Sequence, residues 1–363
     1  MRRVRQFGPK ELLLSLFLLI IGWATKECIA PSAPGEDIAA PGDTIEIVFT
    51  TPRSPDSALF HHGGLDERLI AAIDAAEESV DVAVFNLDLV TVGHALIRAD
   101  ERGVTVRVVT DSDYGDAAGT TAVREAGIEV VTDGQAAYMH DKFVVIDEQR
   151  VWTGSWNVSD SETYRNDNNV VIVRSEALAR NYTVEFVEMF EGRMFGPTSP
   201  DIVPYPSIAT GTGRIETFFE SEGNVRERII ALIDGAETSV HFLAYTMTDN
   251  GIAGAIIDRH RAGIDVRGII EGRNTGDPGS DYEAFLESGV EVLKDGNPYL
   301  MHHKVIILDE EIVVTGSYNF SASAANANDE NVLIIHDAGI ARTYEQEFER
   351  IVRLAREAAQ DGD

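Results

Sequence analysis

Two stretches of the chain carry the same set of chemically active side chains. The first begins at Met139 and reads MHDKFVVIDEQRVWTGSWN, and the second begins at Met301 and reads MHHKVIILDEEIVVTGSYN. Imidazoles can attack or donate a proton, whereas ammonium and amide groups can hold anionic oxygens. Six positions are identical at a uniform offset of 162 residues: His140, Lys142, Asp147, Gly154, Ser155 and Asn157 in the first copy, and His302, Lys304, Asp309, Gly316, Ser317 and Asn319 in the second.

The use of lysine singles out two of these positions. After residue 30 the chain has lysine only at 142, 294 and 304, and it uses arginine elsewhere. A compact ammonium kept in both copies indicates contact with a phosphate group. Lys142 and Lys304 are therefore predicted to bind a substrate phosphate. The hydroxyls and amides that recur in the same motifs are candidates for the same phosphate site: Ser155, Asn157, Ser317 and Asn319.

Strand geometry predicts how each motif is arranged. If FVVID and RVWTG form a hairpin with a two-residue turn, Lys142 faces Ser155 and His140 faces Asn157. Residues two apart on a strand lie on one face, so the histidine and the lysine would share a patch. The second copy predicts the same register.

The motif aspartates are predicted to be structural. Seven residues of regular strand would place Asp147 roughly 20 Å from His140 and on the opposite face. An aspartate at a turn that accepts hydrogen bonds from nearby backbone amides is the better interpretation, for Asp309 as well. Gly154 and Gly316 would leave room for close approach of another backbone segment.

One acidic residue outside the motifs could support a histidine. Glu330 follows His302 by 28 residues, at the start of ENVLII, and could accept the second imidazole N–H of His302. Asn168 stands at the matching place in the first half. We therefore expect a carboxylate behind His302 and at best an amide behind His140.

The repeat extends beyond the motifs and indicates the fold class. LIAAIDAAEESVDVAVF, from Leu69, matches IIALIDGAETSVHFLAY, from Ile229. In each half, apolar β-branched runs alternate with segments of helical period, which predicts an α/β fold with a mostly parallel or mixed sheet covered by helices.

Composition shifts divide the chain into segments. Basic residues followed by the apolar run LLLSLFLLIIGWA make residues 1–30 a predicted signal peptide or N-terminal anchor, and hence an exported protein, secreted or periplasmic. Pro- and Gly-rich stretches predict linkers at 31–42 and 197–213. The remaining segments are predicted domains at 43–196 and 214–357 and a tail at 358–363.

Composition also limits the classes of function. The 363 residues are 44% hydrophobic, enough for two globular domains, and the single cysteine, Cys28, excludes an intrachain disulfide or a Cys-rich zinc site. The net charge of −31 disfavours encounter with nucleic acid.

The motif His-x-Lys-x4-Asp-x6-Gly-Ser-x-Asn, present twice, resembles that of the phospholipase D superfamily over about residues 43–357. The resemblance implies a duplicated phospholipase D/nuclease-like α/β/α sandwich, with two halves related by a pseudo-twofold axis and one shared active site. It also implies a phosphodiesterase with no metal and no cofactor. One histidine would attack phosphorus and form a phosphohistidine, the other would protonate the leaving alkoxide, and lysines and asparagines of both halves would hold the non-bridging oxygens.

The resemblance and the residues together predict the order of the two histidines. Family precedent makes His140 the nucleophile and His302 the acid. Glu330 behind His302 would favour its protonated form, in agreement with that order. A carboxylate would also stabilise a positively charged phosphohistidine, so the reverse order, with His302 as the nucleophile, stays open. Asn168 departs from the family pattern in the first half.

The leading prediction for the substrate is a phospholipid at a membrane surface, with hydrolysis or transfer of the phosphatidyl group by a monomer. An exported nuclease is the first alternative, although neither half has a run of Lys and Arg that would form a basic channel. A cardiolipin-synthase-like transferase is the second. A non-catalytic envelope scaffold would require broken motifs, and all six identities are intact in both copies.

Overall fold

Each half of the repeat forms one β-sheet in a computed structural model, which describes residues 43–200, 202–220 and 224–361. The strands of the first sheet are β1 (Thr44–Phe49), β2 (Ser79–Val84), β3 (Thr105–Thr110), β4 (Val130–Thr132), β5 (Lys142–Ile146), β6 (Arg150–Gly154) and β7 (Asn169–Arg174). Those of the second sheet are β8 (Ser207–Ala209), β9 (Arg214–Glu220), β10 (Ser239–Ala244), β11 (Asp265–Ile270), β12 (Glu291–Lys294), β13 (Lys304–Leu308), β14 (Ile312–Gly316) and β15 (Glu330–His336).

Helices follow the strands in the same order in both halves. The first half contains α1 (Leu65–Asp74), α2 (Val90–Glu101), α3 (Ala118–Glu125), α4 (Asp160–Tyr164) and α5 (Glu176–Phe190). The second half contains α6 (Val225–Asp234), α7 (Asn250–Arg261), α8 (Tyr282–Ser288), α9 (Ala322–Asn326) and α10 (Ala338–Asp361).

The two sheets have the same strand order apart from one added edge strand. The first runs β1-β7-β6-β5-β2-β3-β4, and the second runs β8-β9-β15-β14-β13-β10-β11-β12. Strands β2, β3 and β4 are parallel neighbours, whereas β5, β6, β7 and β1 pair antiparallel. The α/β class and the mixed sheet are confirmed. Parallel pairs are the minority in each sheet, against the mostly parallel form of the prediction, because each motif hairpin and the strand that follows it form an antiparallel meander.

Three hydrophobic cores hold the layers together. Helices α1 to α3 cover one face of the first sheet, with Leu69, Leu96 and Val123 packed among its valines. The second half repeats this arrangement. A third core contains the opposite faces of both sheets together with α5 and α10, so Tyr182 and Tyr344 lie in a core that the two halves share. The shared core joins the halves through apolar burial, and the described residues of both halves form one compact unit.

Some of the segments predicted as linkers or termini form regular secondary structure, and others lie outside the described residues. The segment 197–213 contains strand β8, which pairs with β9 at the edge of the second sheet. Helix α10 continues into the predicted tail. The predicted signal segment 1–30 and linker 31–42 lie outside the described residues. In the described part of the chain, no helix is both long and apolar enough to cross a membrane.

Candidate active site

Each motif forms a hairpin with a three-residue turn. Ile146 pairs with Arg150 and Phe143 pairs with Thr153, and the second copy has the same register. The predicted two-residue turn is therefore wrong by one residue, and so are the facing pairs derived from it. The reason is local: Asp147 and Glu148 both adopt positive φ, at 54° and 50°, and the N–H of Gln149 donates to the carbonyl of Ile146 at 3.0 Å. The chain therefore turns at Asp147 and Glu148, one residue earlier than predicted, and the register shifts with it.

The carboxylate of Asp147 anchors this turn to the preceding strand. It accepts hydrogen bonds from the backbone N–H groups of Glu77, Glu78 and Ser79, the shortest of them 2.7 Å. Asp309 makes the equivalent bonds in the second half. Although burial acts to raise it, the pKa of Asp309 is lowered because these amides stabilise the charged form. Such contacts are those expected of a turn residue, away from the imidazoles.

Gly154 and Gly316 allow a second backbone segment to approach the motif. They have φ of 149° and 152°, and a Cβ atom would lie 2.2 Å from the carbonyl oxygen of Asn169 or 2.1 Å from that of Asn331. Only glycine fits such contacts without a shift of the backbone. The strands β7 and β15 can therefore begin directly beside the motifs.

Just before the starts of β7 and β15, the two halves form hydrogen bonds with each other. The backbone N–H of His140 donates to the carbonyl of Asp329 at 2.9 Å, and that of His302 donates to the carbonyl of Asp167 at 2.8 Å. Short parallel bridges join Met139 to Asp329 and Met301 to Asp167. Each histidine therefore lies beside residues of the other half.

This crossing overturns the predicted partner of Glu330. Nδ1 of His140 lies 2.9 and 2.8 Å from the two carboxylate oxygens of Glu330, and Nδ1 of His302 lies 3.0 Å from Oδ1 of Asn168. The carboxylate stands behind His140 and the amide stands behind His302, the reverse of the expectation. The expectation failed because it assumed that each histidine takes its partner from its own half.

The motif serines orient these partners. The hydroxyl of Ser155 donates to Oδ1 of Asn168 at 2.9 Å, and that of Ser317 donates to a carboxylate oxygen of Glu330 at 2.6 Å. Both serines are fully buried. The predicted contact of Ser155 and Ser317 with phosphate is therefore replaced by a contact that fixes the groups behind the histidines.

The motif lysines lie beside the imidazoles of their own half. Nζ of Lys142 donates to the carbonyl of His140 at 2.7 Å, and Nζ of Lys304 donates to that of His302 at 2.9 Å. Each ammonium also lies over an aromatic ring, Phe85 in the first half and Tyr245 in the second. One of three N–H groups on each lysine is thereby used, which leaves donors for an anion.

The motif asparagines keep unused hydrogen-bonding capacity. The amide oxygens of Asn157 and Asn319 are buried and have no hydrogen-bond partner within the described residues. The Nδ2 group of Asn157 donates to Glu162 at 3.3 Å. Buried amide groups with unused positions are available to a ligand, because an unmade hydrogen bond in the interior is unfavourable.

The titratable groups of the two halves act on each other. Burial lowers the pKa of His140 to about 4, against the opposing effect of Glu330, and Lys304 lowers it further. Burial also lowers the pKa of His302 well below its ordinary value, with Lys304 and Lys142 acting in the same direction. The pKa of Lys142 is lowered to about 8 by burial. Clustered cations in a buried site favour neutral imidazoles until an anion binds.

Sequence reasoning missed three residues that shape this site. Asp111 and Glu271 accept hydrogen bonds from the backbone N–H of Met139 and Met301 at 3.0 and 2.8 Å. They end the matching segments GVTVRVVTD and GIDVRGIIE, so the repeat itself carried the signal. Glu162 lies on α4 and reaches His302, and no motif marks it.

Within residues 43–200, 202–220 and 224–361 no group of three or more His, Cys, Asp or Glu side chains is arranged to hold a metal ion.

Comparisons with known proteins agree with this geometry. The family model described as "Cardiolipin synthase, PLD-like domain" matches the chain twice, at residues 69–190 and 229–352. The chain therefore belongs to the phospholipase D superfamily, and it is a phosphodiesterase of the phospholipase D type.

Individual relatives match one half at a time or the whole fold. A protein named "Phospholipase D" from Rickettsia bellii is 32% identical over 168 residues, which are 46% of this chain and 83% of the relative. A "Mitochondrial cardiolipin hydrolase" from Xenopus tropicalis is 32% identical over 167 residues, 46% of this chain and 79% of the relative. The phosphatidylserine synthase of Haemophilus influenzae Rd KW20 shares the fold at a TM-score of 0.61 and 14% identity, over 84% of this chain and 86% of that structure.

Proposed function

We propose that the protein is an exported phospholipase D that cleaves the phosphate–headgroup bond of membrane phospholipids through a phosphohistidine. The observation that carries this proposal is the crossed pair of buried imidazoles, each held by the other half of the chain and each beside a lysine. The names of the relatives, phospholipase D and cardiolipin hydrolase, support a phospholipid as substrate.

In the first step, Nε2 of His140 attacks phosphorus and the bond to the headgroup oxygen breaks. His302 gives its proton to the departing alkoxide, so the headgroup leaves as an alcohol. Lys142, Lys304 and the Nδ2–H groups of Asn157 and Asn319 donate hydrogen bonds to the non-bridging oxygens, where negative charge accumulates.

The partners of the histidines support this order of roles. Glu330 accepts the Nδ1–H of His140, so the lone pair at Nε2 is directed away from the carboxylate and is free to attack. The same carboxylate stabilises the positive charge of the phosphohistidine. His302 donates its Nδ1–H to the amide oxygen of Asn168, so its other proton, on Nε2, points away from Asn168 and is the one available to the leaving alkoxide.

In the second step, water attacks phosphorus and gives a proton to His302. The P–N bond to His140 breaks, phosphatidic acid leaves, and both histidines return to their first state. An alcohol in place of water would transfer the phosphatidyl group instead.

The test uses the full-length protein in mixed detergent–phospholipid micelles, with EDTA present. Phosphatidylcholine, cardiolipin and single-stranded DNA are offered separately, and His302→Ala is the matched inactive control. Phosphatidic acid that forms only with the wild type supports the proposal. Cleavage of DNA without lipid turnover would refute the lipid substrate and favour the nuclease.

The covalent step has its own test. Rapid quenching with lipid labelled at phosphorus should trap a phosphoryl group that is stable in base and labile in acid. Normal turnover without a trapped intermediate would contradict the role of His140.

A further inference from the structure

The two halves place a carboxylate at different positions around their histidines. At the start of the last strand of each half the repeat has Asn168 in the first half and Glu330 in the second. Six residues earlier the order is reversed, with Glu162 in the first half and Ala324 in the second. Each half thus has one carboxylate near the site. In the first half it lies six residues earlier in the repeat than the carboxylate of the second half.

Glu162 is tied into the site by several contacts. One of its carboxylate oxygens accepts a hydrogen bond from Nδ2 of Asn168 at 2.6 Å, and the other accepts from Nδ2 of Asn157 at 3.3 Å. A carboxylate oxygen also lies 3.3 Å from Nδ1 of His302. The side chain is 11% exposed, so these contacts are shielded from water.

The bonds of Glu162 fix the orientation of Asn168. Because Nδ2 of Asn168 donates to Glu162, its Oδ1 faces the hydroxyl of Ser155 and Nδ1 of His302. An acceptor at that place requires a proton on Nδ1 of the imidazole. The catalytic proton of His302 is then the one on Nε2, which points away from Asn168.

The charged and titratable surroundings of His302 are mainly cationic or neutral. Positive or proton-binding groups act on it from its own strand and from the other half: Lys304, His303, Lys142 and His140. The ring of Tyr245 packs against it edge-on. The carboxylate of Glu162 is the negative charge that contacts the ring within the described residues.

We propose that Glu162 is a positioning residue for the general acid: it orients Asn168 and stabilises the protonated form of His302 when a phosphodiester is bound. This inference rests on the function proposed above, with His302 as the proton donor. The duplicated site thereby acquires two chemically different histidines from one ancestral plan.

A comparison of two leaving groups tests whether Glu162 acts on the proton that His302 donates. An alkoxide needs protonation as it departs, whereas p-nitrophenolate is stable as an anion and departs without it. We compare a dialkyl phosphodiester lipid with its p-nitrophenyl ester in the pre-steady-state burst, which isolates the first step. Glu162→Gln should lower the burst rate about 10- to 100-fold for the alkyl ester and less than about threefold for the nitrophenyl ester.

Two variants serve as comparisons. Glu330→Gln acts on the nucleophile and should slow both esters to the same extent. Asp160→Asn removes a carboxylate from the same short helix, one that contacts His61 rather than the site, and should change neither rate.

Exchange of the two residues provides a gain-of-function test. The double variant Glu162→Ala/Asn168→Glu reproduces the arrangement of the second half and should recover most of the alkyl-ester rate that Glu162→Ala loses. Histidine NMR gives a readout that does not depend on turnover: with bound inorganic phosphate, the pKa of His302 should be lower in Glu162→Gln than in the wild type.

The outcomes separate the two proposals. Equal losses of Glu162→Gln on both esters, no loss on either, or an unchanged pKa of His302 would overturn the role of Glu162. A wild-type protein that cleaves neither ester would instead overturn the proposed function. If the double variant does not fold, Glu162→Gln, which preserves the shape of the side chain, still decides the question.

Discussion

Removal of the Asp147 carboxylate should destabilise the protein and leave its chemistry intact. Three backbone N–H groups donate to this carboxylate, at distances between 2.7 and 3.2 Å. A hydrogen bond to a charged group contributes about 1.5 kcal/mol at the lower end of its range, which suits this partly exposed site. Asp147→Ala should therefore lower the free energy of unfolding by about 3 to 5 kcal/mol.

The neighbouring residue provides the matched control. Glu148 is exposed and shares the left-handed conformation, with φ of 50° against 54° for Asp147. Glu148→Ala thus places an alanine in the same left-handed conformation without removal of the anchoring carboxylate. The difference between the two variants in urea unfolding, at unchanged m-value, measures the hydrogen bonds alone.

Turnover of a soluble phosphodiester at 25 °C, where both variants are folded, completes the test. We expect the kcat of Asp147→Ala to stay within about twofold of the wild type. A loss of a hundredfold or more in a variant of wild-type stability would refute the assignment and place Asp147 in the chemistry.

Asp309 adds a pH dependence: because its folded pKa is lowered below 3.8, its stabilisation is present above pH 3.8 and is lost as the pH falls through the folded pKa.

Three further predictions concern the site. Glu330→Gln should lower kcat about 10- to 100-fold and reduce the amount of trapped phosphohistidine, and a normal amount of intermediate would contradict the pairing with His140. Because burial lowers the pKa of Lys142 to about 8, kcat/KM should decline above about pH 8 as the ammonium loses its charge, whereas a flat profile to pH 10 would contradict this. Excess EDTA should leave the rate unchanged, and loss of activity that a divalent ion restores would be inconsistent with attack by a histidine without a metal.

The sequence was sufficient for the fold class and for the repeated motif residues of the site, because duplication made both visible. Six identities at one offset marked the residues, and alternating β and α patterns marked the class. The direction of the strands could not be predicted from the sequence pattern. Apolar β-branched runs occur in buried parallel and antiparallel strands alike, so the antiparallel meander of β5, β6 and β7 left no distinct pattern.

The two errors about the site have different physical causes. The register of the hairpin depended on two successive positive-φ residues, which Asp147 and Glu148 adopt without a glycine. Whether Glu330 contacts the histidine of its own half or that of the other half depends on how the two halves pack together. This follows from long-range packing of the two sheets around α5 and α10. Neither property is encoded in local spacing.

The crossed arrangement explains why the duplication could produce an asymmetric site. Where each histidine takes its supporting residue from the opposite half, a substitution in one half changes only the histidine of the other. Asn168 in place of a carboxylate therefore weakens the support of His302 and leaves the contact of His140 with Glu330 unaffected. A nucleophile and an acid need different proton affinities at one pH, and the crossing lets each be adjusted by a residue that its own half does not contain.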